Sequence, residues 1–346
     1  MKKIVTPIIA FILFFITVTG CTPEKQSNDL LATHSSQTTS SQQEKKYVSM
    51  VSIESKSIAQ NLINEPCKKE IVVSLPPSYF DNKDKKYPTV YFFHGFQEGP
   101  GVIGNKVLEL KNRNQDIANE FIIIEVSGEN KHGGSFYVNS PIIGNWEDFV
   151  IKEVIPYVDS NYRTIASKDS RGVSGFSMGG YACLNLALKH PEAFSSVYAL
   201  SPGVFDENGL KDALKTWKSD ENFKTGYGQA FCPMPNVPDI MTKIPTFDGS
   251  KDDNEIITKW ESGFGDFNQK LDNYLQKKDK LKAINIQVGT CDSYPWIPNG
   301  CIYLSKIMKE KNIAHELITI KDCGHFIPSD FVETSFVSFF NKNLKH

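Results

Sequence analysis

The sequence predicts an α/β fold in which a mostly parallel central sheet is flanked by helices. Three observations support this class. From Val48 onward, short β-branched and aromatic runs alternate with runs that have helical spacing of apolar residues. Residues 121–126 are apolar at nearly every position, as is typical of a strand covered on both faces. A serine flanked by glycines stands between one strand and the following helix.

The predicted elements follow one another along the chain in a regular order. The predicted strands are residues 70–75, 89–94, 121–126, 171–175, 195–200, 284–288 and 315–320. The predicted helices are residues 146–158, 181–190 and 302–311, and Pro156 should kink or shorten the first of them. Strands separated by helices favour parallel pairing, because each helix returns the chain to the same end of the sheet.

The glycine-flanked serine is Ser177, within the sequence Gly-Phe-Ser-Met-Gly at residues 175–179. A G-x-S-x-G pentapeptide between a strand and a helix is typical of the nucleophile elbow of α/β-hydrolases, which exposes the serine hydroxyl at the sheet edge. Alone the motif is weak evidence, since a glycine-rich turn before a helix is usually only a turn. Its interpretation depends on finding catalytic partners.

A serine nucleophile needs a base to take its proton and an acid to orient that base. In this fold the chain order is serine, acid, histidine. His325 lies in a loop just past the last predicted strand, and Asp292 lies at the carboxyl end of the strand at residues 284–288. The other histidines after Ser177 end a helix, begin a strand or end the chain (His190, His315 and His346). The sequence therefore predicts Ser177, Asp292 and His325 as the catalytic residues.

Two backbone N–H groups should stabilise the negative charge that develops on the substrate oxygen. One is expected from Met178, which follows the nucleophile, and the other from Phe96, in the loop after the strand at residues 89–94. The acid and base loops should meet at one sheet edge, which brings Cys291 near Cys323 and suggests a disulfide between them.

Several stretches resemble the esterase D-like group of α/β-hydrolases across about residues 65–330. These stretches are residues 75–79 (LPPSY), 87–88 (YP), 94–95 (HG), 133–137 (GGSFY), 144–148 (GNWED) and 175–180 (GFSMGG). The resemblance implies an α/β-hydrolase fold with Ser177, Asp292 and His325 as its triad. It also implies that Phe136, Tyr137 and Trp146 bind substrate, although such aromatic residues can equally belong to the core.

Residues 205–280, between two predicted strands, do not follow the alternation. The stretch is rich in aromatic residues, and a proline-rich run lies at residues 232–238. An insertion here would lie over the carboxyl edge of the sheet. Its aromatic residues either wall the active site or pack a small core of the insertion itself.

The resemblance implies a serine carboxylic ester hydrolase that acts through an acyl-enzyme on a small-molecule or glycan ester. Two alternatives stay open. One is an acyltransferase acting on envelope glycans or lipids, and the other is a non-catalytic surface binding protein on the same scaffold. Lysine plus arginine (38) and aspartate plus glutamate (40) nearly balance, so nucleic acid is not expected as a partner. No cofactor is implied, and the cysteine spacings do not match the paired cysteines of a metal site.

The N-terminus predicts export. Lys2 and Lys3 precede an apolar run at residues 4–18, which is short for a membrane span of about 20 residues. The run ends in Val-Thr-Gly-Cys at residues 18–21, which resembles the lipobox of bacterial lipoproteins, with Cys21 as the lipidated residue. An ordinary signal peptide and an uncleaved anchor are the alternatives. We therefore expect a signal peptide (residues 1–20), a disordered tether (21–46) and a hydrolase domain (47–346) held outside the cytoplasm on the membrane.

Overall fold

Eight strands form the central sheet of the computed structural model, which describes residues 46–112 and 120–346. The predicted signal peptide, the lipidation site Cys21 and the tether up to residue 45 lie outside the described residues. The central strands are β1 (Val48–Glu54), β2 (Lys68–Ser74), β3 (Thr89–Phe93), β4 (Ile122–Val126), β7 (Arg171–Phe176), β8 (Ser196–Leu200), β9 (Ala283–Gly289) and β10 (Glu316–Ile320). A separate two-stranded ladder pairs β5 (Asn139–Ser140) with β6 (Gly144–Asn145).

The order of the central strands is β1-β2-β4-β3-β7-β8-β9-β10. Every neighbouring pair from β4 to β10 is parallel, whereas β2 runs antiparallel to both β1 and β4. The sheet is therefore mostly parallel, as the alternation of strands and helices predicted. The antiparallel β1–β2 pair extends one edge, opposite the edge strand β10.

Helices connect the strands and cover both faces of the sheet. They are α1 (Val102–Asn112), α2 (Trp146–Asp148), α3 (Ile155–Asn161), α4 (Met178–Lys189), α5 (Gly209–Thr216), α6 (Glu221–Phe231), α7 (Lys251–Phe264), α8 (Phe267–Leu275), α9 (Trp296–Glu310) and α10 (Val337–Asn343). Single 3-10 turns occur at Pro77–Phe80 and Lys168–Ser170, and π-helical segments at Phe149–Val154 and Val332–Phe336. Within the described residues, no helix combines the length and the apolar character needed to cross a membrane.

Of the two effects expected of Pro156, a kink or a shortened helix, the shortening does not occur. Pro156 lies in the first turn of α3, directly after the π-helical segment Phe149–Val154, and the helical stretch continues to Asn161. Proline has no N–H to donate to the preceding turn. A wider π-helical turn just before Pro156 absorbs this loss, so the chain stays helical across the proline.

Side chains of strand β3 divide between the two faces of the sheet. Tyr91 and Phe93 point into the larger hydrophobic cluster, which includes the buried residues of α4 and of the insertion. Val90 and Phe92 point into a smaller cluster on the other face, formed with α1 and α10. All four side chains are fully buried, so both faces of this central strand lie in the core and its side chains do not alternate between buried and exposed.

The irregular stretch between β8 and β9 forms helices α5 to α8, in agreement with the predicted insertion. Its aromatic residues pack on one another: the Tyr227 hydroxyl donates to the carbonyl oxygen of Trp260 over 2.8 Å and accepts from the N–H of Phe264 over 2.9 Å. The ring of Phe264 also lies 4.8 Å from that of Tyr181 on α4. The insertion therefore has a core of its own that is continuous with the core of the sheet.

The turn from β7 into α4 requires glycine on both sides of Ser177. A Cβ atom on Gly179 would overlap the carbonyl oxygen of Phe93, and one on Gly175 would overlap the carbonyl oxygen of Gly179. Both obstacles are backbone atoms that cannot rotate away. These glycines allow α4 to start directly against the ends of β3 and β7.

Replacement of Gly179 by alanine should destabilise the protein and displace the turn. We expect the free energy of unfolding to fall by at least about 2 kcal/mol, because the new methyl group overlaps fixed backbone atoms. Urea unfolding followed by far-UV circular dichroism measures the change. Gly99→Ala is the matched control, since a Cβ there meets no atom within 4 Å. Equal stability of the two variants would contradict this account.

Candidate active site

Ser177 lies at the carboxyl end of the central strand β7 in a strained backbone conformation. Its φ of 54° and ψ of −113° are sparsely populated by residues with a side chain. Its N–H donates to the carbonyl oxygen of Leu200 over 2.9 Å, which ties the turn to strand β8. The side chain is half-buried and its hydroxyl faces a cleft at the sheet edge.

The structure brings the three residues predicted as catalytic into one chain of contacts. His325 Nε2 lies 2.9 Å from Ser177 Oγ, and His325 Nδ1 lies 2.8 Å from Asp292 Oδ2. Since a carboxylate accepts hydrogen bonds, Nδ1 carries the proton and Nε2 is free to accept from the serine hydroxyl. This is the arrangement in which an imidazole can act as a general base toward Ser177.

Two aromatic rings hold the imidazole of His325 in place. The ring of Phe176 and the ring of Tyr294 each lie 4.9 Å from it. The N–H of Tyr294 also donates to Asp292 Oδ1 over 2.8 Å, so both carboxylate oxygens of Asp292 are engaged. The Asp292 side chain is completely buried, which shields its contact with His325 from solvent. Sequence reasoning missed Tyr294, because an aromatic residue two positions after an acid has no distinctive pattern.

The acid and base loops are joined by their backbones. The N–H of Cys291 donates to the carbonyl oxygen of Cys323 over 2.9 Å. The two cysteines are therefore neighbours, as expected, but both are free thiols in the structure. The suggested disulfide between them is not present, and a main-chain hydrogen bond joins the loops instead.

The loop after β3 faces the nucleophile in the way expected of an oxyanion-binding site. Phe96 and Met178 both line the cleft beside Ser177. Neither backbone N–H donates a hydrogen bond to another group within the described part of the chain. The N–H of Gln97, the next residue in the loop, donates to the carbonyl oxygen of Gly133 over 2.8 Å. The arrangement leaves two N–H groups next to Ser177 available to a substrate oxygen.

A buried histidine supports this loop. His94 Nε2 accepts from the N–H of Gly128 over 2.8 Å, so the ring proton lies on Nδ1, which is 2.7 Å from the carbonyl oxygen of Gly95. The N–H of Gly95 donates in turn to Glu98 Oε2 over 2.8 Å. Burial lowers the pKa of His94 from about 6.5 to about 4. His94 is therefore neutral near pH 7, and this hydrogen-bond pattern persists there.

The three residues predicted to bind substrate lie in the core instead of the cleft. Phe136, Tyr137 and Trp146 are all completely buried. The hydroxyl of Tyr137 donates to the carbonyl oxygen of Val126, and the indole N–H of Trp146 donates to the carbonyl oxygen of Ile143, each over 2.8 Å. The family resemblance was the basis for these assignments, and the alternative that such aromatic residues belong to the core is the one that holds.

The stretch around Phe136 supports the site from behind. The Phe136 ring lies 6.1 Å from the ring of Phe96 in the oxyanion loop. A Cβ on Gly133 would overlap the ring of Phe96, and one on Gly134 would overlap the sulfur of Met178. The glycine pair thus lets this stretch pack closely against both residues expected to hold the oxyanion.

The cleft over Ser177 has a volume of about 240 Å³ and is walled largely by aromatic side chains. Several come from the insertion and from the start of α9, and two carboxylates, Glu98 and Asp220, also line it. The aromatic wall comprises Phe96, Phe176, Trp217, Phe223, Phe264, Tyr294 and Trp296. Both readings of the insertion therefore hold, because Trp217 and Phe264 belong to its core and also face the cleft.

Comparison with known proteins identifies the family that this chain resembles. Residues 64–233, just under half of the chain, match a family model described as "Putative esterase". This segment contains Ser177 and ends before Asp292 and His325.

Curated relatives match a similar fraction of the chain. An esterase of Mycobacterium tuberculosis, Esterase Rv1288, is 34% identical over 126 residues, which are 35% of this chain and 26% of that protein. An endo-1,4-beta-xylanase/feruloyl esterase of Xylanibacter ruminicola is 30% identical over 147 residues, or 40% of this chain and 20% of that protein. The chain thus spans about a quarter or less of the length of these relatives. The family and these names support a carboxylic ester hydrolase.

Solved structures extend the likeness to most of the chain. The fluorophosphonate-binding serine hydrolase FphF of Staphylococcus aureus has a TM-score of 0.58 at 15% identity and covers 86% of this chain and 98% of its own. An S-formylglutathione hydrolase of Agrobacterium tumefaciens has a TM-score of 0.55 at 14% identity, and the match covers 86% of this chain and 95% of that hydrolase. A ferulic acid esterase has a TM-score of 0.54 at 21% identity, and the match covers 86% of this chain and 98% of that esterase. The fold is that of the α/β-hydrolases.

The imidazole of His94 should titrate far below neutral pH. We expect a midpoint near pH 4 in the folded protein, because burial opposes its charged form. The unfolded chain binds this proton below about pH 6.5, so His94 should lower the free energy of unfolding as the pH falls from about 6.5 to about 4. NMR titration of labelled histidine measures the midpoint, with His94→Gln to assign the resonance.

The His94→Gln variant also supplies the thermodynamic comparison. Its unfolding free energy should depend less steeply on pH than that of the wild type between about pH 6.5 and 4. A His94 midpoint near 6.5, with parallel stability curves for both proteins, would contradict the assignment of a neutral buried imidazole.

Proposed function

We propose that this chain is a serine carboxylic ester hydrolase in which Ser177 is the nucleophile, His325 the general base and Asp292 the residue that orients it. The continuous contact from Ser177 Oγ through His325 to Asp292, over 2.9 and 2.8 Å, is the observation that carries the proposal. The esterase family match over residues 64–233 supports the same chemistry.

The first half of the reaction forms an acyl-enzyme. His325 Nε2 takes the proton of the Ser177 hydroxyl as Oγ bonds to the ester carbonyl carbon, and the carbonyl oxygen becomes an oxyanion. The N–H groups of Phe96 and Met178 stabilise that charge. Collapse of the tetrahedral intermediate breaks the bond to the alcohol oxygen, which leaves with the proton from His325.

The second half releases the acid. Water gives a proton to His325 Nε2 while its oxygen bonds to the acyl carbon and forms a second tetrahedral intermediate. Collapse of this intermediate breaks the bond between the acyl carbon and Ser177 Oγ, and Oγ takes the proton back from His325. Asp292 stays ionised and stabilises the imidazolium formed in each half. Its buried position and its two hydrogen bonds hold the ring in one orientation throughout.

The relatives and the cleft together guide the choice of substrates for testing. One curated relative is a xylanase/feruloyl esterase and one structural neighbour is a ferulic acid esterase. The aromatic wall of the cleft provides flat apolar surface that suits a planar acyl group. We therefore propose that esters of aromatic acids are among the substrates, together with simple short-chain esters.

We further propose that the protein is exported and anchored to the membrane through a lipid on Cys21. The basic pair Lys2–Lys3, the short apolar run and the Val-Thr-Gly-Cys sequence support this location. The polar stretch at residues 33–43 would then connect the lipid anchor to the hydrolase domain.

Substitution of Ser177 should abolish ester hydrolysis without unfolding the protein. We expect kcat/KM for Ser177→Ala to fall at least about 1,000-fold, because no other group supplies the nucleophile. Nitrophenyl esters from acetate to octanoate and a feruloyl ester are the substrates, and circular dichroism checks the fold. Ser262→Ala, on α7 outside the cleft, is the control. Wild-type activity in Ser177→Ala would overturn the proposal.

The same assay separates hydrolysis from acyl transfer. With an alcohol acceptor in excess, a hydrolase releases mainly the free acid, whereas an acyltransferase yields mainly the new ester. Chromatography of the products measures the ratio of free acid to new ester.

A fluorophosphonate probe tests the alternative of a non-catalytic protein. Failure of the probe to label Ser177 in the folded wild type would favour a binding protein on the same scaffold.

Replacement of Cys21 by serine should release the protein from the membrane. We expect wild-type protein produced in a bacterial host to partition into detergent and its N-terminal peptide to carry a diacylglycerol mass. The Cys21→Ser protein should carry no lipid and stay out of the detergent phase. Cys67→Ser, inside the folded domain, is the control, and identical partitioning of all three proteins would refute the lipid anchor.

A further inference from the structure

Asp220 lies in the turn that joins two aromatic residues of the cleft wall, Trp217 and Phe223. Its backbone N–H donates to the carbonyl oxygen of Trp217 over 3.0 Å, and its Oδ1 accepts from the N–H of Phe223 over 2.9 Å at the start of α6. The rings of Trp217 and Phe223 are only 4.4 Å apart. No hydrogen bond from the described residues reaches Asp220 Oδ2, so this oxygen is available to a ligand.

The charged side chains that line the cleft include carboxylates but no lysine or arginine among the described residues. Glu98, in the loop after β3, is the second carboxylate of the lining, and its Oε2 accepts from the N–H of Gly95. Lys224, one turn after Asp220, is paired with Glu221 over 2.6 Å and also donates to the carbonyl oxygen of Lys218. The carboxylates at the cleft therefore have no cationic partner within it.

Aromatic faces and unpaired carboxylates are the groups that recognise organic cations. The negative face of an aromatic ring attracts an ammonium group within about 6 Å, and a nearby carboxylate adds a Coulomb attraction. The same surroundings disfavour an anion, since it would lose water and meet like charge.

We infer that the cleft selects esters whose alcohol or acyl part carries a positive charge, such as a quaternary ammonium group, over anionic esters, with Asp220 as the residue that sets this selectivity. The inference rests on the proposed function and adds the charge of the preferred substrate. Asp220 does not touch the reacting atoms in this scheme, and it acts on the distal group of the substrate.

Three thioesters with one acetyl group test the selectivity. Acetylthiocholine carries a cation, S-(3,3-dimethylbutyl) thioacetate is its neutral isostere, and S-acetyl-3-mercaptopropionate carries a carboxylate. We expect kcat/KM for the cation to exceed that for the isostere about two- to fivefold, with the anionic ester slowest. Higher ionic strength should reduce the differences in kcat/KM among the three thioesters, because salt screens the charges. Equal rates, or a preference for the anionic ester, would overturn the inference.

The substitution Asp220→Asn removes the negative charge of this side chain and keeps its size. Asparagine keeps the oxygen that caps α6, so the turn should remain folded. We expect the ratio of kcat/KM for the cationic ester over the neutral ester to fall toward one, with kcat/KM for the neutral ester changed less than twofold. Glu207→Gln removes the charge of an exposed carboxylate of the insertion outside the cleft and should leave the ratio unchanged. An unaltered ratio in Asp220→Asn would exclude the role of this residue.

A binding measurement separates failure of this inference from failure of the proposed function. Phenyltrimethylammonium and benzenesulfonate are titrated into the wild type and Asp220→Asn, and the fluorescence of Trp217 and Trp296 reports binding. Tighter binding of the cation, lost in Asp220→Asn, supports the selectivity even if no ester is hydrolysed. Equal binding of both ions would refute it, whatever the activity.

Discussion

The strained backbone of Ser177 is the constraint on which the rest of the site depends. A residue with a side chain is held at φ 54° because β7 ends directly against α4 and glycines on both sides remove the atoms that would prevent this contact. The strain is offset by the surrounding structure, including the bond from the Ser177 N–H to Leu200. The conformation points the hydroxyl away from the sheet and toward His325.

The parallel sheet brings the other groups to the same place. Phe96, Asp292 and His325 follow strands β3, β9 and β10, whose carboxyl ends share one edge with β7. Residues far apart in sequence thus meet without a long connecting loop, as is usual in open α/β sheets. The bond between the backbones of Cys291 and Cys323 then makes the acid and base loops a single unit.

Local sequence patterns predicted most of the strands of the sheet and the residues that lie at their carboxyl ends. Seven of the eight strands of the sheet were predicted to within two residues, since buried strands are apolar runs. The edge strand β1 was missed, because most of its side chains are only partly buried or exposed and it has no apolar run. Ser177, Asp292 and His325 were identified because chain order and strand ends fix where a nucleophile, an acid and a base can lie. Their catalytic roles stay predictions until the variants are assayed.

The residues that sequence reasoning misplaced depend on long-range packing. The family resemblance implied that Phe136, Tyr137 and Trp146 bind substrate, yet each fills a site in the core that only the assembled fold defines. Asp220 and Tyr294 had no signal, because a single acidic or aromatic residue in a short turn has no distinctive pattern, although each is held by a local hydrogen bond.

The continuity between the core of the insertion and that of the sheet limits how new specificity can be engineered or can evolve. Phe264 contacts Tyr181 on α4 and also faces the cleft, so the insertion is not a detachable lid. A chimera joined only at the ends of β8 and β9 would replace part of the interior along with the cleft wall. Single substitutions at Trp217 or Asp220 are the more accessible route, because the groups around Ser177 belong to other elements.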